Sequence, residues 1–303
     1  MACMDKIRGN LIGRSGARPV GVEIELGRVD SAGAANAVHR RFGGTIRIDG
    51  PHRMSVRGTE FGNFRIERDE AGDGSGKSTG FLADIGCAPA RTVAATPPMP
   101  ANRLSEIDVL VHDLVRLGAQ STWAGLLNGI GLHLNPSLAP ADLTPSAILR
   151  VMQAYLLQAL VLHGSGDSDP TGSRPPIVDP FPVRYVDHVL DPAYAPGFET
   201  LIADYLMFNP TRNRPLDMLP LFSLIDRPRV SRAVPDQRIS ARPSFRWRLP
   251  DAEFEIPPWS VAGRWTQWLR VETASLDADD LAARLAHRTR STAVEQQRLA
   301  ARN

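Results

Sequence analysis

The sequence predicts an α+β fold in which an antiparallel β-sheet is backed by helices on one face and bears a functional surface on the other. Three observations predict it. Four short segments alternate strictly between apolar and other residues, which is the period of a strand with one buried side. Three longer segments repeat their apolar residues at helical spacing. The non-apolar positions of the four strands hold Glu, Asp, His, Asn and Arg. The usual wet strand face carries Thr, Ser, Lys and Gln instead.

The chain has 303 residues, enough for one large domain or two small ones. Its 43% hydrophobic and 22% charged content is that of a soluble globular protein. A net charge of +2 points to neither nucleic acid nor a membrane surface. Of the 35 basic residues only Lys6 and Lys77 are lysines. Arginines suit bidentate capture of phosphate or carboxylate, although a GC-rich coding sequence would give the same bias. Cys3 and Cys87 are too few for a disulfide framework or a thiolate metal site. No apolar run has the length of a signal peptide or a membrane span, so a soluble cytoplasmic protein is expected.

In chain order, residues 1–17 read as a polar, mobile leader. In VGVEIEL, Val20, Val22, Ile24 and Leu26 share one strand face, while Glu23 and Glu25 share the other. In FRIERD, Phe64 and Ile66 oppose Arg65, Glu67 and Asp69. The Gly/Ser loop at 70–80 looks like a P-loop, but that pattern needs glycine where Ala71 stands and a helix where GFLADIGCAPA follows. Lys77 is therefore expected at a hairpin tip. Ser105 is the expected cap of a helix with Ile107, Leu110, Val111, Leu114 and Leu117 on one side and Gly118 as its stop. In IGLHLN, Ile130, Leu132 and Leu134 oppose His133 and Asn135.

Thr144 and Pro145 open a second helix, with Ile148, Val151, Met152, Tyr155, Leu156 and Leu160 at helical spacing. A third covers about 199–208 and stops before Pro210. Arg212, Asn213 and Arg214 follow, readable as an anion clamp or as arginines capping helix carbonyls. In SFRWRL, Phe245, Trp247 and Leu249 oppose Arg246 and Arg248. Glu253 and Glu255 extend the carboxylate face or lie on a solvated edge. Trp259, Trp265 and Trp268 read as core. The chain is expected to form one domain over 18–272, followed by a polar helix over 277–303.

Two carboxylates at i and i+2 on a strand lie roughly 6.5–7 Å apart on one face. Such like charges are unfavourable without a cation between them. Oxygen-rich ligation with one imidazole suits Mg²⁺ or Mn²⁺. Arginines beside such a centre provide forks for phosphate, the equipment of phosphoryl transfer. A solvated sheet face, with His133 a satisfied structural histidine, is the competing reading.

Several stretches carry a resemblance: GVEIEL (21–26), the strand ending at Asp69, ATPPMP (95–100), GLHLNP (131–136), FNPTRNRPLDMLPLF (208–222) and RPSFRWRLPD (242–251) with the following PPWSVAGRW. The sequence resembles the amidoligase family of carboxylate–amine ligases, related to glutamine synthetase and glutamate–cysteine ligase. The resemblance implies a curved, glutamine-synthetase-like antiparallel sheet with metals and ATP on its concave face. It implies ATP-dependent joining of a small-molecule or peptide carboxylate to an amine through an acyl phosphate, with oligomerisation left open. Carried over residue by residue, it makes Glu23, Glu25, Asp69 and His133 ligands of Mg²⁺ or Mn²⁺. It puts Arg248 beside the ATP phosphates, while the polar face and the 212–214 loop add Arg212, Arg214 and Asn135 as expected ATP-binding residues and make Arg246, Arg248 and Arg212 the expected catalytic ones. Three positions depart from the family pattern. Val93 stands where a glutamate is common, Asn135 where a second histidine is, and Arg246 where a carboxylate is. A regulatory or scaffolding member that binds nucleotide or peptide without turnover is the alternative, and a metal-dependent hydrolase a third reading.

Overall fold

The computed structural model of the chain describes residues 18–69, 91–119, 131–163, 178–249 and 259–300. The expected leader, the glycine loop with Lys77, Ile130, and Glu253 with Glu255 lie outside the described residues. The chain divides into two compact units, one formed by Met1–Ser137 with Ser244–Trp265, the other by Leu138–Pro243 with Thr266–Asn303.

The first unit is built on an open antiparallel sheet. Its strands are β1 (Pro19–Leu26), β2 (Thr45–Gly50), β3 (Arg53–Thr59), β4 (Gly62–Asp69), β5 (Arg91–Ala95), β6 (Met99–Pro100), β7 (Gly131–Pro136) and β9 (Arg246–Leu249). They run across the sheet in the order β2-β3-β4-β5-β1-β7-β9, with β6 also paired to β1. β1 is thus central, antiparallel to β5 and β6 on one side and to β7 on the other. Between β5 and β6, Thr96 keeps the chain on β1: its amide donates to the Val22 carbonyl and its Oγ1 accepts from the Val22 amide. Pro97 and Pro98 follow, and prolines have no N–H to continue a ladder.

The apolar positions predicted from alternation are buried, among them Val20, Val22, Ile24, Phe64, Ile66, Leu132, Leu134 and Trp247. Helix α1 (Ser31–Phe42) packs on this side of β3 and β4. Its buried residues are mostly alanines, which allow close approach, and Phe42 stacks on Phe64 with ring centroids 5.4 Å apart. Asp30 caps it, Oδ1 accepting from the Gly33 amide at 2.7 Å. Helix α2 (Leu104–Arg116) buries Ile107, Leu110, Val111 and Leu114 as predicted. It begins one residue before Ser105, continuing a 3₁₀ turn over Ala101–Arg103, so Ser105 is not its cap. Leu117 lies past the helix end and is exposed, while Gly118 ends the helix at φ 99°.

The second unit holds α3 (Pro145–His163), α4 (Val183–Val189), α5 (Phe198–Phe208), the two-residue strand β8 (Leu216–Asp217), α6 (Leu219–Ile225), α7 (Arg227–Ala233), most of α8 (Val261–Leu276) and α9 (Ala278–Ala300). Thr144 caps α3 by accepting the Ala147 amide. α5 spans the predicted third helix. Tyr185, Tyr205, Phe208 and Phe222 interlock as an aromatic core. Trp268 is fully buried in α8 with its indole N–H on Glu272. Trp265, also in α8 but on the first unit's side of the division, is buried too.

Candidate functional site

Strand register determines which polar side chains meet. Paired residues on neighbouring antiparallel strands project to the same face. One row runs Ser55, Arg65, Ala95, Glu23, His133, Arg248 from β3 to β9. The next row toward the other end of β1 runs Arg53, Glu67, Val93, Glu25, Gly131. Asn135 pairs with Gly21, and Asp69 with Arg91. Arg246 follows Arg248 on the same face by the two-residue period of β9. The four alternating segments therefore present their polar residues on one face.

Two glycines that sequence reasoning passed over make room for these groups. A Cβ on Gly131 would lie 3.0 Å from Glu25 Oε2. A Cβ on Gly21 would lie 3.5 Å from the Asn135 amide nitrogen. Each glycine faces a long polar side chain across the ladder, and that pairing is the signal that would have identified it.

At the middle of the sheet the groups form a buried network. Glu23 is 8% exposed, Asn135 and Arg246 5%, and His133 3%. Arg246 Nη2 lies 2.8 Å from Glu23 Oε2 and 2.7 Å from His133 Nδ1. The same nitrogen is 3.9 Å from Glu25 Oε1. Asn135 Nδ2 donates to Glu23 Oε1 at 3.2 Å. A guanidinium can only donate, so His133 Nδ1 is the acceptor and its proton sits on Nε2. The Nε2 atom lies 3.6 Å from Glu25 Oε1, too far for a hydrogen bond. Burial lowers the His133 pKa to about 4, with the positive charge of Arg246 adding to it, so the ring is neutral near pH 7. Arg248 is half-buried beside this network.

These residues do not fit a metal ion between Glu23 and His133. The imidazole lone pair and the Glu23 carboxylate both meet the Arg246 guanidinium. Among the described residues no group of three or more His, Cys, Asp or Glu is arranged to hold one. The Asp69 side chain lies outside the described residues; its backbone ends β4.

Arg212 and Arg214 belong to the second unit. Arg212 lies 3.4 Å from Asp236. Arg214 donates to the carbonyls of Pro180 and of Phe208, the last residue of α5, as the capping reading describes. Both arginines thus have protein partners.

No helix among the described residues is long and apolar enough to cross a membrane. No curated protein and no solved structure matches the chain. The family model described as "Putative amidoligase enzyme" matches residues 17–270, which takes in every strand of the polar face. By that match over most of its length, the chain belongs to the amidoligase family, whose name denotes enzymes that form amide bonds.

Proposed function

We propose that this chain is an ATP-dependent carboxylate–amine ligase working on the polar face of the sheet, in a glutamine-synthetase-like manner. The observation that carries the reading is the gathering of Glu23, Glu25, His133, Arg246 and Arg248 on one face of the central strands, largely out of water. Desolvated charges of both signs are what phosphoryl and acyl transfer need, because charge neutralisation and positioning supply most of the rate.

In this reading a substrate carboxylate attacks the γ-phosphorus of ATP, which arrives as its magnesium complex. An acyl phosphate forms and ADP leaves. The amine then attacks the acyl carbon, phosphate departs, and the amine's extra proton passes to a base. Arg248 offers a bidentate fork to the transferring phosphate. Glu25, near the rim of the network, attracts the incoming ammonium and accepts its proton. His133, neutral, turns its Nε2–H toward Glu25, whose Oε1 lies 3.6 Å from that nitrogen. Arg246 neutralises Glu23.

ADP release that depends on both an added carboxylate and an added amine, with an amide product found by mass spectrometry, is the expected result across a panel of small acids, amines and peptides. The Arg246–Glu23 contact specifically favours a second reading, a member that binds nucleotide or peptide without turnover. ATP binding with no amine-dependent ADP release across the panel would select it.

A further inference from the structure

We propose that Arg246 is the resident cation of this site, standing where a divalent ion would otherwise lie between Glu23 and His133, so that neither residue ligates metal in the native protein. Carboxylates spaced two residues apart on a strand call for a positive charge between them. Here the chain provides it. Arg246 Nη2 is within 2.8 Å of Glu23 and 2.7 Å of His133 Nδ1, and 3.9 Å from Glu25. It therefore faces the same three groups that a metal would draw together.

Three features make the exchange stable. A guanidinium keeps its charge at any pH a protein meets. It is fixed by the strand, since β9 pairs with β7 through His133↔Arg248 and Leu134↔Trp247, which sets the face on which Arg246 projects. The lone pairs that would ligate a metal are also committed. His133 Nδ1 accepts from Arg246, and the two Glu23 oxygens accept from Asn135 and Arg246. A divalent cation entering here would have to displace a buried positive charge. The inference concerns cation binding alone and holds whether or not the chain is a ligase.

The test is a titration of the full chain with Mn²⁺ in the absence of nucleotide, followed by electron spin echo measurements of nitrogen coupling and by thermal melting. Parent protein is expected to show no imidazole nitrogen coupled to Mn²⁺, and Glu23→Gln is expected to leave any Mn²⁺ affinity unchanged. Arg246→Ala is expected to melt below the parent in chelator, to gain a Mn²⁺ site with nitrogen coupling, and to recover several degrees of Tm on adding Mn²⁺. The coupling gained should vanish in Arg246→Ala with His133→Gln. Arg246→Gln, closer in shape, serves if the alanine variant does not fold. Nitrogen coupling in the parent that is lost in His133→Gln overturns the proposal. So does a folded Arg246 variant that gains no Mn²⁺ site. If neither variant folds, the parent decides: coupling overturns the proposal and its absence supports it. Because the readout is metal binding, a missing ligase activity leaves the result intact.

Discussion

His133 links the chemistry of the site to the stability of the fold. Its pKa is lowered to about 4 in the folded chain by burial and by Arg246, against an ordinary value near 6.5. Between these two values the unfolded chain binds more protons than the folded one. Stability contributed by the neutral ring is therefore complete above about pH 6.5 and is lost as the pH falls toward about 4. At roughly 1.4 kcal/mol per pKa unit, the loss is on the order of 3 kcal/mol. Urea denaturation across that window should show stability rising with pH in the parent and a shallower rise in His133→Gln. Equal slopes would mean that His133 is not held neutral by its surroundings. At this scale the sequence was legible in part. Period-two alternation correctly put Glu23, Glu25, His133, Asn135, Arg246 and Arg248 on one face. It could not say that Arg246 reaches Glu23, because alternation gives a side and not a distance. The expected metal rested on the type and spacing of the carboxylates and the imidazole; whether Arg246 supplies the positive charge instead depends on its reach, which alternation does not give.

Among the elements, legibility followed the apolar contrast. β1, β4, β7 and β9 alternate sharply and were readable. α1, β2 and β3 were not. The buried side of α1 is largely alanine, too small to create a strong stripe. β2 lies at the sheet edge, where Ile48 is 80% exposed, so its two faces differ little in polarity. Local chemistry nevertheless specifies α1 at both ends. Asp30→Ala removes the Gly33 cap and should cost about 1 kcal/mol of unfolding free energy, read by urea denaturation. Asp30→Asn, which keeps the acceptor oxygen, should recover most of it. The exit is stricter. Gly44 has φ 86°, and a Cβ there would sit 2.6 Å from the Arg57 carbonyl oxygen. The left-handed backbone alone costs roughly 1–2 kcal/mol for Ala, and the clash with fixed β3 backbone adds to it. Gly44→Ala should therefore destabilise more than Asp30→Ala. The reverse order would place the α1–β2 turn in another conformation.

At the scale of the whole molecule, the question is whether the polar face acts as one site or as a row of independent charges. The row from Arg65 through Ala95, Glu23 and His133 to Arg248 crosses five strands. Four inter-strand steps of about 4.8 Å put its ends about 19 Å apart. Arg65 is exposed at one end and Arg248 half-buried at the other. If ATP lies against the β7–β9 side, Arg248→Ala should weaken binding of its magnesium complex tenfold or more, about 1.4 kcal/mol, by calorimetry. Arg248→Lys should not restore it, because an ammonium cannot reproduce a planar fork. Arg65→Ala should leave nucleotide affinity near that of the parent. Groups this far apart without shared partners behave additively to within about 0.5 kcal/mol. The double variant should therefore bind ATP as Arg248→Ala does. A double variant much weaker than that sum would mean that one ligand bridges the whole face. Arg248→Ala binding ATP like the parent would move the nucleotide off this side of the sheet, and with it the assignment of Arg248 to the transferring phosphate.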